Sequence, residues 1–240
     1  MAFERGDKSP REDPRERALL ESLTAKQHWE SKDFTAVMVA LARFGEHAQI
    51  PAPHRPETID LSSWDKSLSA LWQHTAASGH EHGRFVFADM LRQSLILGRI
   101  AAGNDRQIIL RAEAQPGREV VQRAIASIHT HPETPAGIAK VFSAQDYYSF
   151  LSTAAERAML VAYGPHHSLL VLKTSVTPAV SQASIQARIQ ETYRDFALLH
   201  RDPTRAVVEF NKMLCVEFGL TLYRRSRADD AVFRRIEVTR

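Results

Sequence analysis

The chain has 240 residues, 44% of them hydrophobic, which is enough to bury a sizeable core as one domain or as two small ones. Its net charge is only +3 and no concentrated basic patch stands out, so nucleic acid is not an expected partner. One cysteine excludes an intrachain disulfide, and no stretch approaches the roughly 20 apolar residues of a membrane span, so a cytoplasmic protein without membrane contact is expected.

Residues 1–17 are nearly all charged, proline or glycine and read as a disordered tail, without the apolar run of a secretory signal. Residues 18–74 read as a helical N-terminal region. "ALLESLTAKQHW" is amphipathic. "DFTAVMVALARFG" puts Phe34, Val37, Met38, Leu41 and Phe44 on one face, with Asp33 as N-cap and Gly45 just past the last turn. Pro51, Pro53 and Pro56 break the pattern, so residues 50–57 read as a linker. "SSWDKSLSALWQHTAAS" then predicts a helix with Trp64, Leu68, Leu71 and Trp72 as its buried stripe.

From residue 82 the period shortens. "RFVFADM", "SLILGRI", "RQIILRA" and "AIASIHTH" are short runs rich in β-branched and aromatic residues, broken by Gly103, Asn104, Pro116 and Gly117. "SAQDYYSFLSTAAE" predicts a helix, and "AMLVAYG" and "SLLVLKT" predict two strands around Gly164-Pro165. "SQASIQARIQETYRDFALLH" and "PTRAVVEFNKMLCVEFG" predict two further helices, before "LTLYRR" and "AVFRRIEV" close as a hairpin. The expected architecture is α/β, a mixed sheet sandwiched by helices, with an α-helical N-terminal extension. Cys215 falls at helical spacing with Val208 and Leu214, which reads as core packing and not as a nucleophile.

Chemistry concentrates in "SIHTHPETPAGIAKVFSAQD", residues 127–146. In a strand, residues i and i+2 share a face, so His129 and His131 present two imidazoles side by side where Pro132 ends the ladder. Alone, that pattern also suits a surface strand. "SAQD" has a plain reading too, in which Ser143 caps a helix and Asp146 completes a capping box. The two readings are compatible, because a carboxylate in the first helical turn is fixed in orientation. Two neutral histidines and one carboxylate make a usual catalytic zinc set, with a fourth position left for water. A proton acceptor is also needed, and Glu81 stands just before the strand that starts in "SGHEHGRFVF". His80 and His82 flank it, but in a strand both face away from Glu81 and read as surface or supporting residues. His54, His166 and His167 lie in a linker and a turn and read as solvated.

A glutamate opening a strand, then "HTHP", then Ser-x-x-Asp at a helix start, resembles the JAB/MPN (JAMM) zinc metalloprotease family. The strand and helix order from about 75 to 175 is similar as well, and residues 75–240 would form that domain. The "PETPAGIAKVF" loop between His131 and Ser143 is eleven residues, longer than is usual in the family. The resemblance implies that His129, His131 and Asp146 bind Zn2+. It implies that Glu81 is the general base for the attacking water and that Ser143 stabilises the oxyanion. It further implies a deubiquitinase-like isopeptidase cutting after the C-terminal tail of ubiquitin or a ubiquitin-like protein, a bacterial one if the arginine-rich composition reflects a GC-rich genome. Three other readings use the same residues: a zinc hydrolase of another peptide or small amide, a non-catalytic MPN-type interaction module, and a metal-dependent phosphoesterase. The last needs further carboxylates or histidines for a second metal, and this sequence offers no such cluster.

Overall fold

The computed structural model describes residues 13–105, 107–132, 141–178, 181–199, 203–226 and 230–237. Its strands are β1 (His28–Trp29), β2 (Thr58–Asp60), β3 (His82–Asp89), β4 (Ser94–Leu97), β5 (Ala101–Ala102), β6 (Gln122–Thr130), β7 (Ala158–Ala162), β8 (Ser168–Leu172), β9 (Thr221–Arg225) and β10 (Val232–Arg235). The helices are α1 (Pro14–Thr24), α2 (Ser31–Phe44), α3 (Asp65–Ser78), α4 (Ala144–Ser152), α5 (Gln182–Leu199) and α6 (Pro203–Glu217). All ten strands join one mixed sheet in the order β1-β2-β10-β9-β8-β7-β6-β3-β4, with β5 alongside β3. The β6–β7 pair is parallel, with α4 as its crossover, and the pairs on either side are antiparallel.

Alternation along the strands gives the sheet two apolar faces. Ala126, Ile128, Ala158, Leu160, Leu170 and Leu172 point to one face and meet α1, α2 and α3 through Leu20, Val37, Met38, Leu41, Leu68 and Leu71. Met159, Val161, Leu169, Val171 and Leu222 point to the other and meet α4, α5 and α6 through Tyr147, Phe150, Ile185 and Leu214. The α/β class expected from the pattern is therefore observed, as a mixed sheet between helical layers. Residues on both sides of the boundary expected at 75 share the first core. β1 and β2 extend the sheet through pairing of β2 with β10. Among the described residues, no helix is long and apolar enough to cross a membrane.

Several elements depart from the sequence expectation. Of the tail expected over 1–17, residues 1–12 lie outside the described residues, while Pro14–Arg17 already belong to α1, capped by the Asp13 carboxylate on Arg15 N (2.9 Å). α2 begins two residues before Asp33, which serves at its third position by accepting from Glu30 N (3.0 Å) instead of capping the helix itself. The proline-rich 50–57 stretch is packed, with Ile50 bridged to Thr174 and His54 hydrogen-bonded to Thr24 Oγ1 (3.2 Å). The described part of "RQIILRA", 107–112, forms no strand. It follows directly on a turn in which Asn104 N donates to Gln107 O.

Candidate metal centre

β6 ends in the middle of the sheet, and its last turn of pleat carries His129 towards the α4 face; His131 follows just beyond the strand. His131 N still donates to Ala162 O (3.0 Å), so the main chain remains in register one residue past Thr130. Thr130 between them points to the opposite face. Its hydroxyl accepts from His82 N and donates to His82 O, both at 3.1 Å, and touches the Thr75 hydroxyl, all of them buried. The strand end is thus fixed from behind by the main chain of β3 and a side chain of α3.

Glu81 arrives from β3. In the antiparallel ladder Gly83 stands opposite His129, and two residues further along the same register Glu81 comes level with His131. Its backbone is held on the other side, N–H to Asn104 O and carbonyl to Gly103 N, each at 2.8 Å. A Cβ at Gly103 would lie 2.2 Å from Gln107 O, so only glycine allows this turn to close against Glu81. His80 is exposed, but His82 is not solvated: it is buried under α3, with its ring 5.6 Å from that of His74. The expectation that both histidines face away from Glu81's side fits His82, whose surroundings are a helix rather than water.

Asp146 arrives from α4, whose orientation is set along its whole length. At its start, Ser143 N donates to Asp146 Oδ2 (2.6 Å) and Asp146 N donates to Ser143 Oγ (3.2 Å), the capping box expected from Ser-x-x-Asp. In its middle, Tyr147 and Phe150 are fully buried, and Tyr147 donates to Asn211 Oδ1 of α6 (2.8 Å). At its end, the buried Lys173 ammonium takes the carbonyls of Phe150 (2.6 Å) and Thr153 (2.8 Å), where a cation suits the helix dipole.

These three elements bring the expected residues together. His129 Nε2 lies 3.3 Å from Asp146 Oδ1, and His131 Nε2 lies 3.5 Å from Asp146 Oδ2 and 3.7 Å from Glu81 Oε1. One donor atom from each of His129, His131 and Asp146 falls within 4.8 Å of the others. Glu81 and both histidines are buried, whereas Ser143 is exposed at the rim. Most of the long loop expected above the site, residues 133–140, lies outside the described residues.

The donor set fits a cation. His131 Nδ1 faces the Val141 carbonyl at 2.9 Å; a carbonyl only accepts, so the proton sits on Nδ1 and a neutral His131 offers its lone pair at Nε2. His129 Nε2 is a buried nitrogen that lies near Asp146 without the alignment of a hydrogen bond. Ligands about 2.0–2.1 Å from a tetrahedral zinc stand roughly 3.4 Å apart, close to the observed spacing of imidazole nitrogens and carboxylate oxygens. Nothing in this donor set excludes another divalent cation that accepts imidazole and carboxylate.

The charges are strongly coupled. Burial would raise the Asp146 carboxyl, but the facing imidazoles of His129 and His131, with Ser143 N, hold it well below the usual carboxylate range. Burial would lower His129, yet Asp146, Glu81 and Glu156 together lift it above its ordinary value. Burial pushes the Cys215 thiol up to about 12, which agrees with core packing beside Tyr147 and not with nucleophilic use. Motif reasoning did not single out Glu156, Gly83 or Thr130. The signals were a Glu-Arg pair directly before the apolar "AMLVA" run, a glycine inside a strand pattern, and the residue between the two histidines.

No family model matches the chain, and no curated protein or solved structure matches it.

Proposed function

We propose that the chain is a zinc-dependent peptidase, with JAB/MPN-type chemistry, that cuts after the extended C-terminal tail of a ubiquitin-like protein. The observation that carries this reading is the convergence of Glu81 with the His129–His131–Asp146 set while Ser143 stands exposed beside it. His129, His131 and Asp146 would hold the metal, which when bound supplies a Lewis acid that activates water near neutral pH.

The remaining roles belong to the chain's own groups. Glu81, buried and 3.7 Å from His131 Nε2, accepts a proton from the attacking water and returns it to the leaving amine. Ser143 already accepts from Asp146 N, which leaves its O–H to donate to the oxygen of a scissile carbonyl. Asp146 is held ionised by its neighbours, so it stays a ligand and does not compete for the proton. The tail specificity comes from the family resemblance, in which an extended peptide is gripped through its main chain.

The test is metal content followed by cleavage. Purified protein should carry about one zinc per chain, lost in His129→Ala, His131→Ala and Asp146→Ala. It should cleave a protein fused behind a ubiquitin-like tail and stop when chelator is added. Hydrolysis of small amides with no cleavage of any tail fusion would move the reading to a zinc hydrolase of another class. Full activity without metal would end it.

A further inference from the structure

Beneath the ligand cluster lies a carboxylate that the proposed chemistry does not use. Glu156 sits in the turn between α4 and β7 and is only 5% exposed. Its N–H donates to Thr153 O (3.1 Å), the same carbonyl that takes the Lys173 ammonium. Its side chain stands against the Ser127 hydroxyl and within electrostatic reach of His129 and Asp146. Ser127 precedes His129 by two residues on β6, so both point to this face of the sheet.

The burial of this group is offset only in part, by the Ser127 hydroxyl and the charge of Lys173. Glu156 Oε1 has no hydrogen-bond partner among the described residues. Lys173 directs its hydrogen bonds to the Phe150 and Thr153 carbonyls, where it serves α4, and acts on Glu156 through its charge alone. A buried carboxylate with an unmatched oxygen is expensive to keep, and an apolar residue of the same volume is often the more stable choice. The neighbouring buried atom in the same condition is His129 Nε2. A divalent cation on the cluster answers both: it engages the nitrogen, and it brings more positive charge than Asp146 alone offsets.

We propose that Glu156, outside the ligand set, is a positioning residue that raises the cation affinity of the His129–His131–Asp146 cluster. Burial pushes the Glu156 carboxyl up to about 7, and in its charged form it acts from behind His129, as carboxylates around metal-bound histidines do in general. The proposal rests on the reading of the cluster as a metal site.

The experiment is a zinc titration of the full chain against a competing chelator, with thermal melting of the metal-free protein alongside. Glu156→Gln keeps the shape and removes the charge. It should weaken zinc binding by about 10- to 100-fold, while metal-free melting stays level or rises. Glu156→Asp, which keeps the charge, should recover most of the affinity. Glu156→Met carries the same expectation as Glu156→Gln and replaces it if that variant does not fold. Wild-type zinc affinity in Glu156→Gln, or a loss of affinity matched by a loss of metal-free stability, overturns the proposal and leaves the metal site intact. A wild-type chain that takes up no zinc overturns the metal reading itself.

Discussion

Gly83 of β3 stands directly opposite His129 of β6, and a Cβ at Gly83 would lie 2.9 Å from the His129 Cβ and 2.8 Å from Ile128 O. Neither neighbour can yield, since one is a strand carbonyl and the other the root of a candidate ligand. The glycine thus lets two strands approach closely at the point where the imidazole leaves the sheet. Gly83→Ala should force β3 and β6 apart at this register, costing about 1–3 kcal/mol, or about 2–4 °C of melting temperature per kcal/mol. It should also weaken zinc binding, because His129 moves with its strand. Melting and zinc titration check this together, and a variant that matches wild type in both would show that the close approach is idle.

Acidity should act on the metal-free and metal-loaded protein in opposite ways. His129 titrates above its ordinary 6.5 in the folded chain, so its contribution to stability is complete below 6.5 and is lost as pH rises through the raised value. Asp146 titrates below its ordinary 3.8, so its contribution is present above 3.8 and is lost as pH falls. The metal-free chain should therefore melt at progressively lower temperature as pH rises above 6.5. Zinc needs an unprotonated imidazole, so its affinity should climb across the same interval. Melting curves and zinc titrations over that range check the pair of trends. Metal-free stability that is flat there would remove the His129–Asp146 coupling.

The parts of the site that could be read in the sequence are those set by local rules. The i, i+2 alternation aligned His129 with His131, and the Ser-x-x-Asp spacing fixed Asp146 to its helix start; both depend on residues close in the chain. The meeting of Glu81 with His131 depends on the β3–β6 register, and no local pattern encodes it apart from the order of the elements. Glu156 carries no local signal for the same reason. Its partners Ser127 and Lys173 come from β6 and from the end of β8, and a lone glutamate before a strand carries no spacing signal. β1 and β2 were also illegible: two or three residues are too few to show a period, and their pairing is supplied by β10 at the far end of the chain. "RQIILRA" shows the converse, because its composition suits a strand but its described residues form none.

Glu81→Gln separates proton transfer from metal binding. The amide keeps the size and the backbone contacts to Gly103 and Asn104, and it removes the acceptor. Zinc should remain at about one per chain, while turnover falls by about 10² to 10⁴. The variant should also trap uncut substrate. Zinc content and single-turnover rates on one preparation decide the matter: if zinc disappears with activity, Glu81 belongs among the ligands.

Ser143 has two roles that differ in magnitude. Its Oγ caps α4 through Asp146 N, so as a cap alone Ser143→Ala should cost about 1 kcal/mol and leave turnover nearly intact. If its O–H also donates to the developing oxyanion, the same change should lower kcat by about 10² or more with zinc retained. Ser143→Asp sharpens the contrast. Aspartate caps a helix as well as serine does, but when ionised it only accepts, and it sets a negative charge where the oxyanion must form. The expected product is folded, zinc-containing and nearly inactive, as read by melting, metal content and kcat. An active Ser143→Asp enzyme would reduce Ser143 to the cap that holds Asp146 in place.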